Sequence, residues 1–190
     1  MKNIAVFASG SGSNAENLIR YFNENQRGAK VNLVICNKQN AGVVDRSKRL
    51  GVDCVILTKE QIQDPEALLP ILGFHNTDII VLAGFLLLIP QFLIDRYENR
   101  IVNIHPALLP KFGGKGMYGR HVHEAVINAG ENETGITIHY VNGHYDSGDI
   151  IFQAQVSLSP DDTVEDVEAK VHDLEQKHFA QVIFDTFCAK

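Results

Sequence analysis

Residues 3–14 read NIAVFASGSGSN: six residues suited to a strand, then a cluster of Gly and Ser, then Asn14 at the start of a helical pattern. The run is apolar on both faces, as a parallel strand covered from both sides requires. Glycine then lets the backbone turn sharply into a helix, whose first amides point outward and favour an anion. Strand, glycine loop and helix form the opening of a doubly wound sheet. Working outward, the alternation recurs through residue 105. Strands are predicted at 3–8, 31–36, 53–57, 79–83 and 101–104, with helices at 14–25, 41–50, 65–75 and 90–98. Asp64-Pro65-Glu66 is a helix start, an acceptor followed by Pro at the first helical position. The expected fold class is α/β, a doubly wound, mostly parallel central sheet with helices on both faces.

Beyond residue 105 the pattern changes. The Pro/Gly-rich loop HPALLPKFGGKGMYG leads to a predicted helix at 120–129. Two alternating segments follow, TGITIHYV and DIIFQAQVSL, joined by NGHYDSG as a hairpin excursion or a functional loop. A last helix begins at Thr163, where Asp166 three residues on makes a capping pattern, and runs to about 187. With no repeat, low-complexity tract or linker, residues 1–190 are expected to form a single domain.

Composition narrows the function. The 190 residues are 45% hydrophobic and 21% charged, which excludes disordered and fibrous classes. Residues 1–130 carry 14 Lys/Arg against 11 Asp/Glu, whereas residues 131–190 carry 3 against 12. An acidic last third argues against nucleic acid as a partner. Three cysteines without a C-x-x-C pattern fit a reduced, cytoplasmic protein. The apolar stretch Ile79–Pro90 is too short to cross a bilayer, so no membrane association is expected.

Three motifs carry chemistry. Gly10-Ser11-Gly12-Ser13-Asn14 is a phosphate loop or simply a tight strand-to-helix turn. Strand two ends in Cys36-Asn37-Lys38, with no acidic residue for a dinucleotide ribose, so a monophosphate suits the loop better. Asn103 and His105 share one side of the fifth strand and can converge on one reacting group. Histidine exchanges protons near neutrality, and the Asn amide can donate to an oxyanion. A strand-end histidine bonded only to backbone has the same signature. In Asn142–Asp149, Asp146 can fold back onto His105 to orient it, or the segment is a polar hairpin tip. His121 and His123, two apart, diverge on a helix, and no metal-ligand spacing appears. Asp173 and Glu175 read by default as a solvated acidic face.

Taken together, VFASGSGSN, VLAGFLLLIP, NIHPALLP, HVHEAV and TGITIHYVNGHYDSGDIIFQ resemble, in order and spacing, the phosphoribosylglycinamide formyltransferases. The resemblance covers nearly the whole chain. It implies a formyltransferase fold and transfer of a formyl group from 10-formyltetrahydrofolate, as co-substrate without a metal, to the amine of glycinamide ribonucleotide in purine biosynthesis. Gly12, Ser13 and Asn14 match the positions that hold the ribonucleotide phosphate, and Glu175 matches an acidic substrate contact. Asn103, His105 and Asp146 match the catalytic trio, with Asp146 expected to orient His105 and raise its pKa. Leu86, Leu87, Leu88 and Ile89, together with Asn103, match the folate-binding wall. Residues 1–105 would then supply the phosphate end, and 106–190 the catalytic loop and folate-closing elements.

Two departures stand out. Leu87 replaces a basic residue frequent in the related G-F-M-R-I-L segment, and Gly113–Gly119 is longer than the usual link to the following helix. Formyltetrahydrofolate hydrolases and methionyl-tRNA formyltransferases share the trio but usually carry further domains, for which the chain, starting its first strand at residue 3, is expected to have no room. The alternatives are a formyltetrahydrofolate hydrolase-like enzyme and a nucleotide-binding module without catalysis. A monomer or homodimer acting on small molecules is expected.

Overall fold

The computed structural model describes residues 1–25 and 28–189. Seven strands form one sheet: β1 (Lys2–Ala8), β2 (Ala29–Cys36), β3 (Asp53–Ile56), β4 (Ile79–Leu82), β5 (Ile101–His105), β6 (Glu133–Tyr140) and β7 (Ile150–Ser157). Their order is β3-β2-β1-β4-β5-β6-β7, parallel from β3 to β5 and antiparallel across β5-β6 and β6-β7. The expected mostly parallel sheet is thus present, and the two late segments form its antiparallel margin.

Alternation along β1 sorts the core into two layers. Ile4, Val6 and Ala8 join the layer beneath α1 (Ser13–Ile19) and α7 (Val164–Phe187), whereas Ala5 and Phe7 join the layer beneath α4 (Pro65–Phe74). Burying both faces accounts for the absence of polar residues in Ile4–Ala8, since each buried side chain there contributes roughly 1.5–3 kcal/mol if large. The remaining helices are α2 (Gly42–Arg49), α3 (Lys59–Ile62), α5 (Gln91–Arg96) and α6 (Arg120–Asn128).

Local signals explain most boundaries. Asp64 caps α4 by accepting from the Glu66 amide at 2.9 Å, and Thr163 and Asp166 cap each other at the start of α7. The single turn α3 was not anticipated, although Thr58 and Gln61 close a capping box there. The expected helix 14–25 is α-helical only to Ile19. Arg20–Glu24 widens into a π-turn, and Asn23 in that turn bonds both the N–H and the C=O of Val31, each at 2.8 Å.

Candidate active site

The C-terminal ends of β1, β4 and β5 open onto one cleft of about 1010 Å³, where doubly wound sheets place ligands. Gly12, Ser13, Asn14, Leu86, Leu87, Leu88, Ile89, Asn103, His105, Asp146 and Glu175 all line it. The residues expected to hold the phosphate, the folate and the reacting groups therefore line one cavity, whereas His121 and Asp173 lie outside its lining.

At one end lies the glycine loop. Gly12 has φ +82°, and a Cβ there would sit 2.6 Å from Val43 Cα. Gly42 packs as closely from the other side, where a Cβ would meet Ser11 O at 2.8 Å. Arg46 donates from Nε to Ser11 O at 2.9 Å and its guanidinium also contacts Glu16, which receives Arg20 and Arg49 as well. Hydrogen bonds from Arg46 and Arg20 hold the Glu16 carboxyl below its ordinary pKa. The loop is thus clamped to α2, with Ser13 and Asn14 supplying the first two amides of α1, before the Glu16 N–H to Gly12 O bond.

Asn14 uses its side chain within the protein. Its Nδ2 donates to Glu175 Oε2 at 2.9 Å, and its Oδ1 accepts from Gln176 at 2.9 Å. Any anion contact by Asn14 in this arrangement falls to its backbone N–H. His172 Nδ1 lies 3.5 Å from the same Glu175 oxygen, and that carboxylate raises the pKa of the imidazole.

The middle of the cleft is tied together by Ser9, which sequence inspection did not single out. Its hydroxyl donates to Asn37 Oδ1 at 2.6 Å and accepts from the Leu86 N–H at 3.1 Å. The ends of β1 and β2 are thereby joined to the Leu86–Ile89 wall. Leu87 leaves that wall uncharged, and among the described residues the only Lys or Arg side chains lining the cleft are Lys38 and Lys115. Lys115 belongs to Gly113–Gly119, which forms part of the rim.

The far end is built from β5, β6 and two loops. Antiparallel register sets Asn103 opposite His139 and His105 opposite Thr137. His139 places Nδ1 2.8 Å from Tyr140 O, which assigns its proton there. Its Nε2 lies 3.1 Å from Asn103 Nδ2 and 3.6 Å from Asp146 Oδ1, and the same Asn103 amide reaches Asp146 Oδ1 at 3.4 Å. The other Asp146 oxygen accepts from the Gly114 N–H at 3.0 Å and lies 3.5 Å from His105 Nδ1. His105 Nε2 faces Phe112 O at 2.8 Å, which assigns a proton to that nitrogen.

Two oxygens therefore flank the two ring nitrogens of His105, an arrangement complementary to the imidazolium. Burial nevertheless pushes the His105 pKa below its ordinary value, and outweighs the upward pull of Asp146 and of the Phe112 carbonyl. The expected upward shift is thus corrected: Asp146 pulls in the expected direction, but desolvation wins. Burial also raises Asp146, but His139, His105 and the Gly114 amide outweigh it and leave its pKa below the usual carboxylate value. Phe112 at φ +55° and Asp146 at φ +52°, the residues that flank His105, both adopt the left-handed conformation. For residues other than glycine this costs about 1–3 kcal/mol each, which the surrounding contacts must sustain.

His139 had no signal of its own in the sequence. It becomes visible only once β6 is known to run antiparallel to β5. Among the described residues no three His, Cys, Asp or Glu side chains are grouped in the manner of a metal site.

The family model described as "Formyl transferase" matches residues 2–183. A phosphoribosylglycinamide formyltransferase of Bacillus subtilis is 35% identical over 187 residues, covering 96% of this chain and 93% of that protein. Chloroplastic phosphoribosylglycinamide formyltransferases of Arabidopsis thaliana and Vigna unguiculata are each 37% identical, and this chain spans only 64% and 60% of their lengths. The crystal structure of the Bacillus halodurans phosphoribosylglycinamide formyltransferase superposes with a TM-score of 0.89 at 36% identity, covering 99% of this chain and 96% of that one. A cleft at the strand ends, a clamped glycine loop, and Asn103, His105 and Asp146 at its far end thus sit on a shared fold, and the chain belongs to the formyl transferase family.

Proposed function

We propose that this protein transfers the formyl group of 10-formyltetrahydrofolate to the primary amine of glycinamide ribonucleotide, a step of purine biosynthesis. The observation that carries the reading is the convergence of Asn103, His105 and Asp146 on the cleft that the glycine loop also lines. The names of the relatives support formyl transfer to phosphoribosylglycinamide.

In this reading the first amides of α1 receive the ribonucleotide phosphate, with Gly12, Ser13 and Asn14 shaping the site and Glu175 contacting the substrate. Leu86, Leu87, Leu88 and Ile89 line the folate pocket. The substrate amine attacks the formyl carbon; a C–N bond forms and the carbonyl oxygen becomes an oxyanion. Asn103 donates to that oxygen, giving up its longer bond to Asp146. His105 enters neutral and accepts a proton at Nδ1, where Asp146 stabilises the resulting charge. As the bond from carbon to the folate nitrogen breaks, the amine's proton reaches that nitrogen through His105 or water. No covalent enzyme intermediate is required, and no metal.

All these contacts come from one chain, acting as a single domain on two small molecules. We assign it to the cytoplasm, in keeping with its three free cysteines. Among the described residues no helix is long and apolar enough to cross a membrane. A spectrophotometric assay with both substrates and a control lacking ribonucleotide tests the reading. Formyl transfer that requires the ribonucleotide is expected. Deformylation at the same rate in the control would replace transferase with hydrolase.

A further inference from the structure

His123 lies on α6, which packs on α7, and it lines the cleft while remaining buried. Its Nδ1 is sealed from solvent and has no hydrogen-bond partner. Among the described residues Nε2 has no protein partner either, which leaves it as the ring's open end toward the cleft. Buried N–H groups without an acceptor are rarer and costlier than bare lone pairs, so the proton belongs on Nε2. Burial also lowers the pKa of the ring, against the pull of Glu168 and Glu175 on α7 and together with the push of His105 on β5. Near neutrality His123 therefore presents one uncharged N–H donor to the cleft.

Its neighbours place that donor. His123 is electrostatically coupled both to His105, at the reacting end, and to Glu175, which holds Asn14 of the glycine loop. We propose that His123 Nε2–H donates to an uncharged oxygen of the bound ribonucleotide, a ribose hydroxyl or the glycinamide carbonyl, between its phosphate and its reacting amine. This contact rests on the ribonucleotide occupying the cleft as proposed above. It gives α6 a direct part in substrate recognition, beyond its packing on α7.

The test compares His123→Leu, which removes the donor, with His123→Gln, whose amide reaches the place of Nε2. His123→Leu is expected to raise the KM for glycinamide ribonucleotide on the order of tenfold, with the KM for 10-formyltetrahydrofolate within about twofold of wild type. His123→Gln should restore most of the loss. A 2-deoxyribose analogue of the substrate separates the two acceptors: its KM no longer responds to His123→Leu if the missing hydroxyl is the partner, and still responds if the carbonyl is. Should His123→Leu fail to give a cooperative thermal transition, His123→Asn, which reaches only the place of Nδ1, takes its role. A ribonucleotide KM unchanged in the donor-less variant, or equal losses in both variants, would overturn the proposal. Absence of transfer by the wild type would instead overturn the assignment of function on which it rests.

Discussion

The two ends of the cleft are built on different principles. The glycine loop is fixed by close backbone packing: Gly12 against Val43, Gly42 against Ser11, Arg46 across Ser11 and Glu16. The polar groups of the Asn14 side chain are paired to α7. At the far end, by contrast, Asp146 is shared among Asn103 at 3.4 Å, His105 at 3.5 Å and His139 at 3.6 Å, from a residue held at φ +52°. Rigid geometry suits a group that is bound the same way before and after reaction. Loosely shared contacts suit groups that must change partners when charge moves.

The sharpest way to break this comparison is at the reacting end. His105→Ala or Asp146→Asn is expected to lower kcat by about 100- to 10,000-fold while the protein stays folded. Near-wild-type turnover by purified variants with an unchanged thermal transition would show that the far end is scaffolding. At the clamped end the expected loss is in stability and binding. Gly12→Ala meets both the left-handed backbone and the Val43 Cα, so unfolding free energy should fall by about 1–3 kcal/mol, measured by urea titration, and ribonucleotide affinity should fall with it. Arg46→Ala leaves the loop's shape possible but removes its clamp. The ribonucleotide KM should rise about 3- to 10-fold with little change in kcat; a loss confined to kcat would contradict a positioning role.

The smallest effect concerns pH. Burial lowers the pKa values of His105 and His123, and to a lesser degree of burial that of His178. Below about pH 6.5 the unfolded chain therefore binds protons that the folded one resists, and stability declines as pH falls. His172 works in the opposite direction, because Glu175 raises its pKa and its contribution fades as pH rises. Thermal midpoints measured from pH 7.5 to 5.5 should decline, and His123→Gln should flatten the slope. A midpoint that rises toward pH 5.5 would mean that the imidazoles are stabilised in their charged form.

Much of this arrangement was legible in order along the chain. The apolar run Ile4–Ala8 and the glycine loop placed the first strand and helix, and period-two spacing put Asn103 and His105 together on β5. The capping pattern at Thr163 marked the start of the last helix. What escaped was set by distant partners. Asn14 meets Glu175 and Gln176 only after the chain has crossed the whole sheet, and His139 meets Asn103 only through antiparallel register. The downward shift of His105 depends on how deeply the strand end is buried, which residue type alone does not specify. His123 looked like a helix histidine because nothing in its neighbours reveals a sealed nitrogen.

Ser9, buried at the end of β1, connects the glycine-loop end of the sheet to the leucine wall through a single oxygen. Its bond to Asn37 lies beside the glycine loop, and its bond from Leu86 begins the leucine wall. A displacement of either region is therefore felt at the other through two short links. Linkage makes such coupling reciprocal: whatever free energy one occupant gains from the other's presence, the other gains equally. If both proposed substrates bind, the cleft acts as one two-ligand receptor with a common pin, rather than as two pockets that happen to adjoin.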